Sequence, residues 1–341
     1  MPRRLHLSLG LATGSAPVPD PDPGTGARTG DRLAAHVRLA EEGRLDFVAV
    51  GDTAYGRGAR GRSVAVAALA GAARLTRRIG LVPEVPAAAG RTGHARTVDT
   101  VAALDTVSGG RAGWLAEPGA RSGARTGPGA GLPYVPGSAQ GRPPVAVALD
   151  VHDADPRWAF AAARAEVVLL DADGPGAAWL ARAALLRRAA DAGREPGGLR
   201  VLVRVAVRLD DGGHAQAPEP ASADGDLAPP PADTLRFTGT GTELAALLAD
   251  WHAASGVDGF HLLPAAPGTD VPAVVREVVP ALRGSGLFRA AYAGRTLRDH
   301  LELPRPAAPR TAPAPLAAPW PPAAVSRRLA APRGPGRRRC R

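Results

Sequence analysis

The sequence predicts a (β/α)8 barrel, because short apolar strands alternate with helical patterns along the chain and the strand count reaches eight. Each predicted strand is rich in Val, Leu and Ala and is bounded by Gly, Pro or Asp. The strands are predicted over 5–11, 46–52, 78–85, 111–116, 145–150, 166–172, 199–209 and 257–264. A doubly wound parallel sheet ranks second, since it would need fewer strands or a visible domain boundary.

Seven helices between or after these strands complete the pattern. They are predicted over 30–43, 63–76, 94–107, 155–165, 176–193, 241–256 and 270–286. Thr242 is the expected N-cap of the sixth helix, and Pro280 is expected to kink or divide the seventh. Glycine and proline dominate after the fourth strand, so the helix at that position is expected to be reduced to a loop.

The barrel is expected to occupy residues 1–303, with irregular loops at 117–144 and 210–234. Residues 304–341 are rich in Pro, Ala and Arg and are expected to form a disordered tail, because this composition cannot bury a core. The formal net charge is +10, and the tail carries nine arginines and no acid. The barrel is therefore nearly neutral, at about +1, which argues against a nucleic-acid partner.

Cysteine usage and hydropathy indicate the expected location. The single cysteine, Cys340, excludes a disulfide framework within one chain. The apolar run at 5–11 is too short for a signal peptide, and no segment approaches the ~20 apolar residues of a membrane span. We expect a cytoplasmic protein with no membrane partner.

Candidate functional residues follow from the barrel rule, since active sites of this fold lie at the C-terminal ends of the strands. The residues at those ends are Ala12, Thr13, Asp52, Thr53, Glu84, Trp114, Asp150, His152, Asp171, Asp173, Asp210, His261 and Pro264. This carboxylate-rich set is compatible with a cation site, with a general base or with polar rims alone. No zinc, P-loop or nucleophile-elbow motif occurs, and no metal site is predicted.

Two glycine-containing stretches have a specific expected role. The stretch "GTGTEL" at 239–244 opens a helix, and it either cradles a phosphate on its amides or forms a tight loop that ends in an N-cap. The stretch "SGGRAGW" at 108–114 ends a helix and enters the fourth strand. We expect Arg111 to pair with a neighbouring carboxylate at the bottom of the barrel and Trp114 to approach its C-terminal mouth.

Several blocks of sequence resemble one enzyme family. They are "RLAEEGRLDFVAVGD", "ALAGAARLTRRIGLVPEV", "TVAALDTVSGGRAGW", "FTGTGTELAALLADWHAASGVDGFHLLP" and "AYAGRTLRDHLELPRP". In this order and spacing they resemble bacterial luciferase-like, flavin-dependent monooxygenases. The most similar branch contains nitrilotriacetate and dibenzothiophene-sulfone monooxygenases. The resemblance covers about residues 5–114 and 140–306.

The resemblance implies a (β/α)8 barrel that binds FMN, used as reduced FMNH2 from a separate flavin reductase, and that oxygenates a small organic substrate with O2. It implies flavin-binding positions at Asp52, Thr53, Glu84, Trp114, Asp150, His152 and Arg157, the last three near the phosphate. It also implies a catalytic histidine, which His94 matches, and a homodimer formed through the second and third helices.

Two alternatives remain open within this resemblance. A deazaflavin (coenzyme F420) is the alternative cofactor. The alternative function is a catalytically degenerate barrel with weak or no flavin binding that acts as a non-catalytic partner. Three features favour that function: the acidic loop "LDVHDADPRW" after the fifth strand, the missing fourth helix, and Glu84 and Pro86 where relatives carry threonines.

Overall fold

The computed structural model describes residues 4–12, 25–51, 64–86, 90–117, 137–210 and 233–306, which belong to one compact unit. Asp52, Thr53 and the predicted tail from 307 onward lie outside the described residues, as do most of the loops predicted at 117–144 and 210–234. Among the helices of the described ranges, none is long and apolar enough to cross a membrane.

The strands of the described residues form one parallel sheet that closes on itself. They are β1 (His6–Ala12), β2 (Phe47–Gly51), β3 (Gly80–Pro86), β4 (Trp114–Glu117), β5 (Val145–Asp150), β6 (Val167–Asp171), β7 (Arg200–Leu209), β8 (Leu235–Gly239) and β9 (Gly259–Pro264). Strands β1 to β7 pair in chain order, and β9 pairs with both β7 and β1. The predicted (β/α)8 barrel is therefore confirmed, and the predicted strands lie within a few residues of those observed.

Strand β8 is an addition that the sequence pattern did not predict. It pairs with residues Val205–Leu209 of β7, beyond the part of β7 that pairs with β6. Its five residues alternate between exposed and half-buried, so they lack the apolar run that marks the barrel strands. Strand β8 extends the barrel wall at the C-terminal ends of the strands, which we call the mouth; the opposite end is the base.

The helices pack around the barrel. They are α1 (Thr25–Glu42), α2 (Val64–Leu75), α3 (Gly90–Ser108), α4 (Asp155–Arg164), α5 (Pro175–Asp191), α6 (Gly241–Ser255), α7 (Pro267–Ala273), α8 (Val279–Gly284) and α9 (Leu297–His300). The last long helix, which Pro280 was predicted to kink or divide, contains a π-helical turn at Val274–Val278 between α7 and α8, and Pro280 lies near the start of α8. Proline cannot donate the hydrogen bond that would continue the regular ladder.

The N-terminus of α6 corrects the predicted cap. The N-cap is Thr240, not Thr242: the Thr240 side chain accepts a hydrogen bond from the amide of Glu243, and the Glu243 carboxylate accepts one from the amide of Thr240. This is a capping box, which requires Thr and Glu three residues apart. Only Thr240 has that spacing to Glu243.

The "SGGRAGW" stretch forms the expected turn but not the expected ion pair. Gly109 and Gly110 end α3 with φ angles of 70° and 88°, a region that favours glycine. The buried Arg111 side chain donates to the carbonyl oxygens of Ala73, Thr76, Ile79 and Ser108 and to the hydroxyl of Thr76, at 2.7–3.1 Å. Arg111 therefore binds carbonyls at the end of α2 that have no partner within the helix, rather than a carboxylate.

Two apolar layers hold the barrel. The larger one lies between the strands and the surrounding helices, and the smaller one fills the barrel interior with residues such as Phe47, Val82 and Leu202. Leu297 and Leu301 of the α9 segment belong to the interior layer. A Cβ at Gly80 or Gly113 would collide with the Leu297 side chain, so these glycines admit the segment that closes the base.

Candidate functional site

A cavity of about 460 Å³ opens at the mouth of the barrel. This volume lies within the range of small-molecule sites, and its position is where barrels of this fold hold their active sites. Twelve residues line it: Glu84, Leu115, Ala116, Ala148, Leu149, Asp150, His152, Asp153, Arg157, Asp171, Arg204 and Asp233. They come from β3, β4 and the ends of β5 and β6, from the turn after β5 and the first turn of α4, from the middle of β7 and from the residues just before β8.

The turn after β5 supplies one wall of the cavity and is held by its own carboxylates. Asp150 accepts a hydrogen bond from the amide of His152 at 2.7 Å, and Asp153 accepts one from the amide of Asp150 at 2.8 Å. The Arg157 guanidinium donates to Asp153 at 3.0 Å and to the carbonyl of Ala148 at 3.1 Å. The turn therefore has a fixed shape, and the charge of Arg157 is balanced by Asp153.

An ion pair forms another part of the cavity lining. Asp171 at the end of β6 is 1% exposed, and both of its oxygens accept hydrogen bonds from the guanidinium of Arg204, the Nε contact being 2.8 Å. The hydroxyl of Thr234 donates to the same carboxylate at 2.6 Å. Bidentate pairing of this kind fixes the arginine and neutralises both charges. The Asp171–Arg204 pair thus adds no net charge to the cavity.

A neutral histidine lies in the barrel interior beside this pair. His261 is 2% exposed, its Nδ1 atom is 2.8 Å from the hydroxyl of Ser8, and its ring stacks on Phe47. Burial lowers the pKa of His261 to about 3, with a further contribution from the charge of Arg204. The imidazole is therefore uncharged at neutral pH, and it does not line the cavity.

The structure brings together four of the predicted flavin-binding residues. Glu84, Asp150, His152 and Arg157 all line the cavity. Trp114 is placed differently: it is 6% exposed and packs in the layer between barrel and helices, while its neighbour Leu115 faces the cavity. His94 lies in α3, and its side chain is outside the described part of the chain, as are Asp52 and Thr53.

Glu84 lies close to the end of the neighbouring strand. Its carboxylate is so near the Cα atom of Gly51 that a side chain at position 51 would collide with it. Glycine at the end of β2 is therefore what lets the Glu84 side chain lie across this edge of the mouth.

Sequence reasoning missed two charged residues of the cavity lining, Arg204 and Asp233. It also missed Thr234, which does not line the cavity but donates a hydrogen bond to Asp171. The signal for Arg204 was present, because Arg200, Leu202, Arg204 and Ala206 share one face of β7 by the period of two. For Thr234 and Asp233 no local signal exists, since neither lies at the end of a predicted strand and both reach the mouth only in the folded chain.

The "GTGTEL" stretch does not offer its amides to a ligand in this structure. The amide of Gly241 donates to the Glu277 carboxylate at 3.2 Å, and the amide of Thr240 donates to Glu243 at 2.9 Å. Two carboxylates thus occupy the end of α6 where a phosphate would bind. Two interpretations of this stretch were open, a phosphate cradle and a tight loop that ends in an N-cap, and the structure shows the second.

Three potential ligand groups converge at the rim of the cavity. One oxygen each of Asp150 and Asp233 and one ring nitrogen of His152 all lie within 4.8 Å of one another. The first two side chains are half-buried and the third is exposed. The cavity therefore has a polar rim on one side and an apolar wall of Leu115, Ala116, Ala148 and Leu149 on the other.

Comparison with known proteins finds sequence similarity to monooxygenases within one segment of the chain. The chain is similar to N-acetyl-S-(2-succino)cysteine monooxygenase of Bacillus subtilis (strain 168), with 37% identity over 70 residues. It is also similar to nitrilotriacetate monooxygenase component A of Aminobacter aminovorans, with 41% identity over 68 residues. The matched segment covers 20% of this chain but only 16% and 15% of these relatives. No protein-family model matches the sequence.

Solved structures extend the likeness to the whole barrel. EDTA monooxygenase from Chelativorans sp. BNC1 superimposes with a TM-score of 0.67 at 18% identity, covering 89% of this chain and 99% of that one. An oxygenating component of 3,6-diketocamphane monooxygenase from Pseudomonas putida, in complex with FMN, gives 0.55 at 14% identity, with coverage of 81% and 98%. A coenzyme F420-dependent tetrahydromethanopterin reductase from Methanopyrus kandleri also gives 0.55, at 16% identity with coverage of 81% and 99%. These identities show the shared fold.

Proposed function

We propose that the chain is a flavin-dependent monooxygenase that uses reduced FMN and O2 to oxygenate a small organic substrate at the mouth of its barrel. The combination of two observations supports the proposal. A segment with about 40% identity to monooxygenases lies in a barrel whose mouth holds a cavity of ligand size. By the same resemblance, a separate flavin reductase supplies the reduced cofactor, and the chain pairs as a homodimer through α2 and α3.

The cavity suits one part of the cofactor and not another. Its volume and its apolar wall suit part of a flavin ring. The turn after β5 does not suit a phosphate dianion, because Asp150, Asp153 and Asp155 cluster there and Arg157 is already paired with Asp153. By the resemblance, Asp150, His152 and Arg157 are the residues that would lie beside the phosphate.

The resemblance also assigns roles to residues outside the turn. It places Asp52, Thr53 and Glu84 near the flavin ring and makes His94 catalytic, whereas Trp114, which it also places there, packs outside the cavity. Of these, Glu84 has direct support, since it lines the cavity. A deazaflavin in place of FMN is the alternative cofactor, and a coenzyme F420-dependent enzyme shares the fold.

A second function is favoured by one observation, the excess of carboxylates at the mouth. A barrel that repels the cofactor phosphate would act as a non-catalytic partner protein, with the fold retained and flavin binding weak or lost. This candidate predicts that no flavin binds saturably to the chain.

Anaerobic titration of the full chain with FMNH2 separates the two functions. Tryptophan fluorescence reports binding, because Trp114 and Trp158 are chain neighbours of the cavity residues Leu115 and Arg157. The monooxygenase proposal predicts saturable quenching with a Kd well below about 1 mM, since a millimolar complex corresponds to only ~4 kcal/mol. A reduced deazaflavin titrated in parallel identifies the preferred cofactor.

The outcome that overturns the monooxygenase proposal is equally definite. If neither reduced flavin quenches the fluorescence saturably up to about 1 mM, the chain lacks a productive cofactor site and the second function stands.

A further inference from the structure

We propose that Arg204 determines which substrates the cavity accepts, because its guanidinium donates a hydrogen bond to a neutral oxygen, such as a carbonyl oxygen, on a small apolar molecule. As a statement about the substrate class, this inference rests on the proposed monooxygenase function. As a statement about binding, it rests on the place of Arg204 in the cavity lining and on the part of its guanidinium that Asp171 does not bind.

The strand pairing places Arg204 on the inner side of the barrel. Side chains alternate along β7, and Leu202, two residues before Arg204, belongs to the apolar layer of the barrel interior. Leu170 of β6 pairs with Val203 of β7, so Asp171 and Arg204 follow as neighbours on adjacent strands. Both Asp171 and Arg204 line the cavity. The guanidinium therefore faces the cavity from the barrel wall.

Asp171 binds the guanidinium through two of its three nitrogen atoms. The Nε atom donates to one carboxylate oxygen at 2.8 Å, and the Nη2 atom donates to the other. The hydroxyl of Thr234 donates to the same buried carboxylate at 2.6 Å. A bidentate pair with an anchored carboxylate fixes the plane of the arginine. A ligand that binds this guanidinium therefore does not have to order it first.

The third nitrogen, Nη1, is the donor that is available to a ligand. Within the described ranges no residue accepts a hydrogen bond from it, and it is not among the side-chain atoms that are buried without a partner. Nη1 is therefore accessible, and because Arg204 lines the cavity, it is accessible from there. Its two N–H groups can donate to an acceptor atom of a bound molecule.

The pairing with Asp171 indicates that this acceptor is neutral. Asp171 balances the charge of Arg204, so an anion at Nη1 would lie beside the Asp171 carboxylate, in a cavity that Asp150 and Asp233 also line. A neutral oxygen accepts the hydrogen bond without this repulsion, and a charged donor makes that bond a strong one. The apolar wall of the cavity would cover the rest of the molecule.

Stability alone does not account for an ion pair at this position. Desolvation offsets much of the attraction within a buried ion pair, and apolar side chains of similar volume often stabilise a fold equally well. Apolar side chains would not, however, present a fixed hydrogen-bond donor to the cavity.

Isothermal titration calorimetry with three matched ligands tests the proposal on the full chain, without flavin. Acetophenone, α-methylstyrene and sodium benzoate share a phenyl ring. The first carries a neutral carbonyl oxygen, the second a methylene group in its place, and the third a carboxylate. We expect acetophenone to bind the parent chain about tenfold more tightly than α-methylstyrene, and benzoate to bind most weakly.

Two variants separate the donor from its charge. The double variant Asp171→Asn/Arg204→Met removes the donor without leaving a buried carboxylate unpaired, so the preference for acetophenone should fall about tenfold. Asp171→Asn alone keeps the donor and this preference, while benzoate should bind about fivefold more tightly because the guanidinium charge is no longer balanced. Arg187→Met, a control at an exposed position of α5 outside the cavity lining, should change none of the three affinities. The parent and Asp171→Asn decide the question even if the double variant does not fold.

Four results would overturn the assignment. The first is α-methylstyrene or benzoate binding the parent as tightly as acetophenone. The second is no saturable binding of acetophenone up to about 10 mM. The third is an unchanged acetophenone preference in the folded double variant. The fourth is a double variant that loses FMNH2 affinity but shows the parent's affinities for all three ligands, since the donor would then serve the cofactor.

The proposed function can fail separately, because no flavin is present in these titrations. Absence of FMNH2 binding with the acetophenone preference intact removes only the monooxygenase. Saturable FMNH2 binding without that preference removes only the role of Arg204.

Discussion

The base and the mouth of the barrel use carboxylates in opposite ways. At the base, Asp46, Glu166 and Asp258 each directly precede a barrel strand, and each accepts a hydrogen bond from the backbone amide of the neighbouring strand, at 2.7–3.1 Å. Each also pairs with a basic side chain: Arg289, Arg298 and Arg182 respectively. Among the described residues that line the cavity at the mouth, five carboxylates stand against two guanidinium groups. Acidic residues at the base thus stabilise the fold, whereas those at the mouth line a cavity of ligand size.

The electrostatics of Asp46 illustrate the base. Burial alone would raise the pKa of this carboxyl, but Arg289 and His6 together lower it to about 2. A carboxylate held this strongly stabilises the folded state above the unfolded pKa of 3.8, and the stabilisation is lost progressively as the pH falls from there through the folded pKa of about 2. Such a residue would be of little use for binding a ligand.

The largest expected effect comes from breaking a base ion pair. Arg298 is 1% exposed and donates to Glu166 at 2.7 Å and to the carbonyls of Arg142 and Pro304. Arg298→Ala leaves the buried Glu166 carboxylate with only part of its partners, so we expect a loss of about 3–5 kcal/mol in the free energy of unfolding. Urea denaturation at pH 7 measures it.

A carboxylate at the mouth provides the matched comparison to the Arg298 variant at the base. Asp233→Asn relieves repulsion among the cavity carboxylates, so the same denaturation should give a stability within about 0.5 kcal/mol of the parent or above it. Equal losses in the two variants would show that base and mouth do not differ in the way described.

An intermediate effect is expected from the buried histidine of the barrel interior. The folded pKa of His261 is about 3, below the unfolded value near 6.5. Between these two values the unfolded chain binds a proton at His261 and the folded chain does not. Stability therefore falls as the pH drops from 6.5 toward 3, by about 2 kcal/mol between pH 6.5 and pH 5 from this residue. His261→Asn keeps a hydrogen-bond acceptor near Ser8 and removes this titration.

Unfolding free energies of parent and His261→Asn at pH 7 and pH 5 test the assignment. The variant should be less stable at both values, because it leaves a cavity, but it should lose about 2 kcal/mol less on acidification. Parallel losses would mean that His261 does not carry a depressed pKa. His300, whose pKa is lowered to about 4 chiefly by burial, is present in both proteins and cancels from the comparison.

The fold was largely predictable because a closed parallel barrel needs strands buried on both faces. Apolar runs such as 46–52 and 166–172 therefore stood out, and the observed strands Phe47–Gly51 and Val167–Asp171 are buried throughout. Strand β8 lacks such burial and was missed. The partner of Arg111 was also wrong, since the sequence does not reveal that the carbonyls at the end of α2 lie beside it.

Site residues were predictable only where they lie at the C-terminal end of a barrel strand. The rule of strand ends found Glu84, Asp150, His152 and Asp171 at the cavity. It did not place Trp114, because a four-residue strand is too short for alternation to show which side chain faces inward. Asp233 and Thr234 reach the mouth through tertiary structure, which no local pattern encodes.

One affinity tests the central claim, that the carboxylates of the turn after β5 weaken the binding of a phosphate-bearing cofactor at the mouth. The variant Asp150→Ser removes a rim carboxylate and keeps a side-chain acceptor for the amide of His152. In the anaerobic titration, FMNH2 should bind this variant about fivefold more tightly than the parent chain. An unchanged or weaker affinity would contradict the account.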